Sequence, residues 1–544
     1  MSIYGRRFWA PLDRAAEDPA GAQRAVLARI LSANRATTFG RAHRFDAVRT
    51  PADYARQVPV QQYEDLHPLV ERQRITGEPA LTAEAPEFYA QTSGTTGVPK
   101  YVPITPSILA VTRAEQKIFS YLQYRACPAA FEGRTLGIMG AAIEGHLDSR
   151  HAVGSVSGHM YRSMPRFVKA RFVVPPDVAT VTDYEQKYLL ILRLALETGD
   201  ITYMGAPNPS SFLRLTALLQ SHRELLMRSV ASGTLAGLET LAPGVRDAVA
   251  GRITAQPARA AALDRLTTLT FATVWPSIAM VTTWTGGSCG IALGALRGQL
   301  PGTTRVMELG YQSTEFRGTF ALAVETPGGL PPLHHTFFEF VEASAWDAGR
   351  PEFLTVDQVE PGRRYHVVVT TSAGLYRYFM NDLVEVAGRH RHTPLLRFVQ
   401  KGRGVTNLTG EKLYEAQVIE AVHRAARPFA LEPAFVLMLA DESTSTYTMF
   451  VEGGRDDLPP AAAFADAFDA ALGAGNLEYH SKRASGRLAA PTVAWLQSGA
   501  SEVYKAACVR AGQREGQYKP APLLYVRDSV LSREALEALR SPEP

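Results

Sequence analysis

The stretch from Gln91 to Lys100, read QTSGTTGVPK, constrains this chain more than any other. From Thr92 to Gly97 every side chain is a small hydroxyl or is absent, so backbone amides and hydroxyls can close on a ligand rich in acceptor oxygens. That composition is a phosphate loop. It differs from the Walker type, because no Gly-Lys-Ser/Thr follows a four-residue spacer and Lys100 comes after Val98 and Pro99. Gly94 and Gly97 allow a tight turn, Ser93, Thr95 and Thr96 supply hydroxyls, and Lys100 adds a point charge. Taken alone, the same letters also describe an ordinary Ser/Thr/Gly-rich surface loop.

At 544 residues the chain exceeds one ordinary core, and about 150 residues per domain suggests two to four units. With 46% hydrophobic and 20% charged residues, it has the composition of a soluble globular protein. Its net charge of +4 is spread without a long basic run, which argues against nucleic acid or an anionic membrane as partner. Cys127, Cys289 and Cys508 are too few and too separated for a disulfide scaffold, and no apolar run reaches membrane-spanning or leader length. A reducing cytoplasm, with no secretion and no membrane span, is therefore expected, and the chain is expected to be a monomer. His334 and His335 are adjacent, and no histidine shows metal-site spacing.

Short apolar segments alternate with helical periodicity through the first part of the chain. Glu87–Ala90 reads as a strand feeding the phosphate loop, and Thr105 caps a helix that begins with Pro106. Asp183 opens another helix, and strands are expected at Ile201–Pro207, Ser277–Thr285 and Arg305–Gln312. From Tyr365 the texture turns β-branched and aromatic, as in antiparallel strands. The expected fold class is α/β: a large N-terminal domain of mostly parallel sheets plus a β-barrel-like part (1–399), a hinge (400–404) and a small mobile α+β domain (405–544).

Four further stretches can complete a site. GYQSTEFRG (310–318) follows a strand, where α/β proteins place ligands; Glu315 suits Mg2+ and Tyr311 offers a flat face to a base. GLYRYFMND (374–382) is expected to put Asp382 at a strand end, able to accept from two ribose hydroxyls, although Asp382 beside Asn381 also reads as a turn. GEK brings Lys412 just past the hinge, and GQYKPAP carries Lys519 near the end of the chain.

The loop TSGTTGVPK resembles the AMP-binding signature of the adenylate-forming superfamily. YQSTE, HTFFEF, TTSAGLYRYFMNDLVEV, NLTGEKLYEAQV, LEYHSKRASGR and GQYK together resemble the auxin-responsive acyl acid amido synthetases of the Gretchen Hagen type, in a bacterial member. The resemblance runs from about residue 20 to about residue 525. It implies that Ser93, Gly94, Thr95, Thr96, Gly97 and Lys100 meet ATP phosphates. Tyr311, Gln312, Ser313, Thr314 and Phe398 would surround the nucleotide, Glu315 would ligand Mg2+ and Asp382 would hold the ribose. Lys412 and Lys519 would act as the C-terminal domain closes. Ser157, Met204, Trp284, Thr285, Gly286 and Gly287 are candidates for the acyl pocket. The family pattern commonly has Gly before the ribose Asp, where this chain has Asn381. It has Pro-Arg after the closing Lys, where this chain has Pro520-Ala521, and Gln400-Lys401-Gly402-Arg403 replaces the superfamily's usual hinge.

The implied chemistry is activation of a carboxylic acid to acyl-AMP, followed by transfer to an amine, most simply an amino acid. A thiol acceptor such as coenzyme A shares the first half-reaction. A serine hydrolase is the rival from another class: GGSCG at 286–290 matches a nucleophile elbow, with Ser288, Asp382 and His390 or His392 as the triad. A nucleotide-binding protein without turnover is the third reading.

Overall fold

The computed structural model describes residues 1–541 apart from 93–99, 149–150, 236–239, 287–288, 402–404, 410, 455–456, 485–487, 514 and 516–517. Ser93, Gly94, Thr95, Thr96, Gly97, Gly287, Ser288 and the hinge at 402–404 thus lie outside the described residues.

Among the described residues, eight strands fall before residue 310: β1 (Phe88–Thr92), β2 (Lys100–Ile104), β3 (Arg134–Gly137), β4 (Gly145–His146), β5 (Ala152–Gly154), β6 (Ile201–Gly205), β7 (Met280–Thr283) and β8 (Arg305–Glu308). They form two sheets. The first runs β2-β1-β5-β4 and is mixed, since β1 pairs antiparallel with β2 and parallel with β5. The second, β3-β6-β7-β8, is parallel throughout. The helices between its strands supply the crossovers that parallel pairing demands. Their starts follow local chemistry. Asp183 accepts from the Gln186 amide at 2.8 Å to cap Tyr184–Leu196, and Thr105 caps Pro106–Ala126.

Five more strands, β9 (Phe337–Glu342), β10 (Leu354–Thr355), β11 (Arg364–Thr370), β12 (Tyr378–His390) and β13 (Thr393–Lys401), make an antiparallel sheet in the order β10-β9-β11-β12-β13. This is the part expected to resemble a barrel; β10 and β13 are its outer strands, and Leu396 of β13 is bridged in addition by Gly329. The remainder holds β14 (Val405–Thr406) paired with β15 (Leu413–Tyr414). It also holds β16 (Phe435–Asp441), β17 (Thr446–Glu452), β18 (Thr492–Leu496) and β19 (Leu523–Tyr525), ordered β18-β17-β16-β19. Helices Glu415–Ala426 and Ala461–Gly475 pack on one face of that sheet and Ala500–Arg510 on the other.

Asp382 does not end a strand or sit in a turn, as the sequence suggested. It lies inside β12, at an irregularity where His366 faces Leu383 while Val368 faces Phe379. Extra residues on one strand bend it and re-aim its side chains. Asn381, immediately before, sits at φ +52°, a left-handed conformation that Asn tolerates better than other residues with a side chain. This accounts for an Asn where the family pattern has Gly.

The antiparallel sheet is tied to the N-terminal helices by a buried charge. Arg377 donates from Nε to Glu339 at 2.9 Å and from Nη1 to the carbonyls of Ala55 and Val58 at 3.0 and 2.8 Å. Both side chains are almost wholly buried. Glu339→Ala is therefore expected to cost about 3–5 kcal/mol, because it strands the guanidinium, whereas Asn381→Ala should cost only about 1 kcal/mol and Asn381→Gly less. Urea unfolding followed by tryptophan fluorescence checks this order.

Candidate active site

The parallel sheet ends in a turn built around one aromatic ring. Gly310, at φ +99°, and Gly318 flank it: a Cβ on Gly310 would meet the Thr319 carbonyl oxygen at 2.3 Å, and one on Gly318 would meet the Tyr311 ring at 2.3 Å. Only glycine lets this loop wrap so closely. Within it the Gly318 amide donates to the Tyr311 carbonyl at 2.7 Å, and the Tyr311 amide to Thr319 Oγ1 at 2.9 Å. Gln312 bridges Arg317, and Ser313 donates its amide to the Phe316 carbonyl at 3.0 Å. Thr314 and Glu315 are half-buried at its tip.

The Tyr311 hydroxyl donates to Asp382 Oδ2 at 2.7 Å, joining the end of β8 to the bulge in β12. Burial and the neighbouring carboxylate hold that hydroxyl protonated far above the usual phenol range. Phe398 of β13 stacks on the Tyr311 ring at 5.6 Å, and Phe316 meets its edge at 5.3 Å. Asp382 Oδ1 is buried without a hydrogen-bond partner, and the Lys401 ammonium stands 3.5 Å away. The Asp382 carboxylate, joined by Glu315 and Glu415, raises the pKa of Lys401. Glu315 and Asp382 also act on the Tyr378 hydroxyl, so the two carboxylates share one neighbourhood.

The strands that flank residues 93–99 are tied to the same place. β1 and β2 form a hairpin whose last pair, Thr92 and Lys100, brackets residues 93–99. Tyr63 grips the base of this hairpin: its hydroxyl accepts the Tyr101 amide at 2.7 Å. Two residues earlier, Gln61 bridges Tyr378 of β12. Two residues span about 7 Å, so the loop's exit lies a short step from the strand that carries Asp382. The Lys100 ammonium lies 3.9 Å from Glu64 and 5.2 Å over the Tyr63 ring.

The C-terminal part delivers one more cation. Lys519 places its ammonium 4.1 Å over the Trp284 ring and 5.2 Å over Phe398. Burial, reinforced by the Lys401 charge, pulls its pKa below the ordinary lysine value. The segment is anchored on both sides: Asn208 Nδ2 donates to the Tyr518 carbonyl at 3.0 Å, and Tyr188 donates to Glu515 at 3.0 Å. Trp284, Thr285 and Gly286 follow β7. The Thr285 amide and hydroxyl donate to the Glu308 carboxylate, which also accepts the Gly310 amide at 3.1 Å. Glu308, with its pKa raised by burial, brackets the ends of β7 and β8. Phe398 is close by as well, its carbonyl 3.3 Å from where a Gly286 Cβ would be.

Not every expected residue joins this cluster. Lys412 is exposed, its amide held by Glu478 at 3.2 Å and its carbonyl by Asn476 at 2.8 Å. Met204 is fully buried in the core around helix Tyr184–Leu196, and Ser157 is exposed in the first turn of helix Val156–Ser163. The hydrolase triad fails on distance. Eight residues along β12 separate Asp382 from His390, about 26 Å of extended chain. His390 is bound instead to Asp13 at 2.8 Å, and His392 to the Glu17 carbonyl at 2.7 Å. Conversely, sequence reasoning passed over Lys401, Glu308 and Glu415. Lys401 stood in the presumed hinge, and Glu415 opens a helix, an ordinary place for an acidic residue.

Family models for the GH3 N-terminal, central and C-terminal domains match residues 10–304, 330–401 and 416–527. The chain belongs to the GH3 family. A probable rice indole-3-acetic acid-amido synthetase, GH3.12, is 28% identical over 95% of this GH3 chain and 93% of its own length. An Arabidopsis counterpart, GH3.15, is 27% identical over 77% and 73%. In structure, the acyl acid amido synthetase GH3.15 superposes with a TM-score of 0.86 at 20% identity, covering 99% of this chain and 96% of that one. A 2-hydroxyisobutyryl-CoA ligase superposes at 0.55 and 10% identity, covering 96% and 91%. Among the described residues no helix is long and apolar enough to cross a membrane.

Glu415 begins the first helix of the C-terminal part, and burial pushes its carboxyl up to about 8 while Lys401 opposes the rise. The folded protein thus holds a proton there that the unfolded chain releases near pH 4.5. This contribution to stability is present below that pH and is lost as pH rises toward about 8. Glu415→Gln should remove the slope. Denaturant unfolding at pH 5.5 and 8.5 should show wild type losing ground to the variant at the higher pH.

Proposed function

We propose that this protein activates a carboxylic acid with ATP, forming acyl-AMP, and transfers the acyl group to the amine of an amino acid. The observation that carries the reading is the buried Asp382 Oδ1, which accepts no hydrogen bond and has only the Lys401 ammonium 3.5 Å away, set beside the stacked Tyr311 and Phe398 rings. A ribose diol can donate to that oxygen, and an adenine can lie against the aromatic wall. The named amido synthetase relatives support the reaction, and the family match supports the scaffold.

The reaction must bring a carboxylate to a polyanion. Lys519 and the amides of residues 93–97 would offset the charge that gathers at the α-phosphate as the acid attacks and pyrophosphate leaves. Mg2+ would supply further neutralisation, held by Glu315 and by oxygens of the nucleotide itself, as that ion commonly is. Walls made by Trp284, Thr285 and Gly286 would shield the mixed anhydride from water until the amine attacks its carbonyl carbon and AMP departs. We place the moving unit at 405–544, with 400–404 as pivot, so that Lys519 serves the first half-reaction and Lys412, exposed here, can be carried in for the second. The 25–28% identity to plant relatives fits a bacterial branch of the family, and three free cysteines fit a reducing cytoplasm.

Acid-dependent exchange of labelled pyrophosphate into ATP tests the reading across a panel of aryl and alkyl acids. At least one acid should support exchange. Asp382→Ala should raise the KM for ATP about 10-fold or more, in line with the loss of about 1.5–3 kcal/mol from a charged hydrogen-bonding group. Silence with every acid would refute the assignment.

A further inference from the structure

Lys519 is half-buried, and among the described residues no carboxylate forms an ion pair with it. What meets its ammonium is the Trp284 face at 4.1 Å and, farther off, the Phe398 face at 5.2 Å. Trp284 cannot turn freely. Its indole N–H donates to the Gly310 carbonyl at 3.2 Å and its backbone amide to the Pro207 carbonyl at 2.9 Å. Gly310 opens the loop that wraps Tyr311, and Phe398 stacks on Tyr311, which holds Asp382. The two faces that receive Lys519 are therefore fixed by the same hydrogen bonds that shape the nucleotide side of the site.

We propose that Trp284 is the positioning residue for Lys519, seating its ammonium over the indole face before substrate arrives. This inference rests on the reading above for what Lys519 does, and goes beyond it in giving Trp284 a task separate from lining the acyl pocket. The physical need is clear. This half-buried ammonium is driven toward neutrality by burial and by the Lys401 charge from β13; Asp382 on β12, Glu308 on β8 and Cys289 beyond Trp284 oppose this. An aromatic face favours the charged form at short range without occupying it as a carboxylate would, and releases it to a phosphate oxygen at little cost.

The test measures Lys519 itself. Competitive reductive methylation of the full chain, read at Lys519 by mass spectrometry as a function of pH, gives its titration midpoint without any substrate. Trp284→Leu keeps the cleft apolar while removing the indole face, so the midpoint should fall by about half to one pH unit; Trp284→Phe should leave it nearly in place. An unchanged or raised midpoint in Trp284→Leu overturns the proposal. In pyrophosphate exchange, Trp284→Leu should lower kcat about 5- to 20-fold and leave the KM for ATP within about two-fold. Combined with Lys519→Ala it should cause no further loss; a full further loss in that background would mean that Trp284 acts elsewhere, and would also overturn the proposal. If Trp284→Leu fails to fold, Trp284→Met is measured the same way. Should wild type exchange with no acid, the assignment of function falls, while the methylation midpoint still decides the role of Trp284.

Discussion

The hydrogen bond from Tyr311 to Asp382 is the constraint on which the site depends. Its partners come from different sheets: one sits past the end of a parallel strand, the other in a bulge of an antiparallel strand. A phenol-to-carboxylate bond of 2.7 Å in a buried setting is a strong one, and breaking it would leave a charge without its donor. The two glycines around Tyr311 and the left-handed Asn381 beside Asp382 let both backbones take the shapes that bring these side chains together. The bond leaves the second Asp382 oxygen buried without a hydrogen bond, with only the Lys401 ammonium 3.5 Å away, so it keeps acceptor capacity for a ligand.

Around that bond titratable groups from the two large parts of the chain act on one another. Asp382 pairs with the exposed Lys401, Lys401 opposes the rise in the Glu415 pKa, and Lys519 reaches back over Trp284 and Phe398. Moving the C-terminal part would take Glu415 away from Lys401 and Lys519 away from its rings at once.

Much of this was legible in the letters. The phosphate loop lies between two strands because a short apolar run precedes it and β-favouring residues follow, and the helices begin at the Thr105 and Asp183 caps as their side chains dictate. Tyr311 is legible because a strand followed by a Gly-flanked polar turn is a local pattern, whereas Asp382 is singled out only at an expected strand end and by the family resemblance. What was not legible depends on partners distant in sequence. Asp382 reads as a turn residue beside Asn381, and only the pairing of β12 with β11 makes it a bulge. Lys401 and Glu415 carry no local mark, since each acquires meaning from the other across residues 402–404. Met204 has the position of a pocket residue along the chain, yet its side chain packs into the core beneath the parallel sheet.

The account stands on one nucleotide site assembled from separated segments. The most direct measurement is a crystal structure of the protein with a non-hydrolysable acyl-sulfamoyl adenosine. The account predicts the ribose hydroxyls on Asp382 Oδ1, the adenine along Tyr311 and Phe398, and the sulfamoyl group between residues 93–97 and the Lys519 ammonium. An analogue bound elsewhere, with Asp382 Oδ1 accepting no hydrogen bond from it, would contradict it.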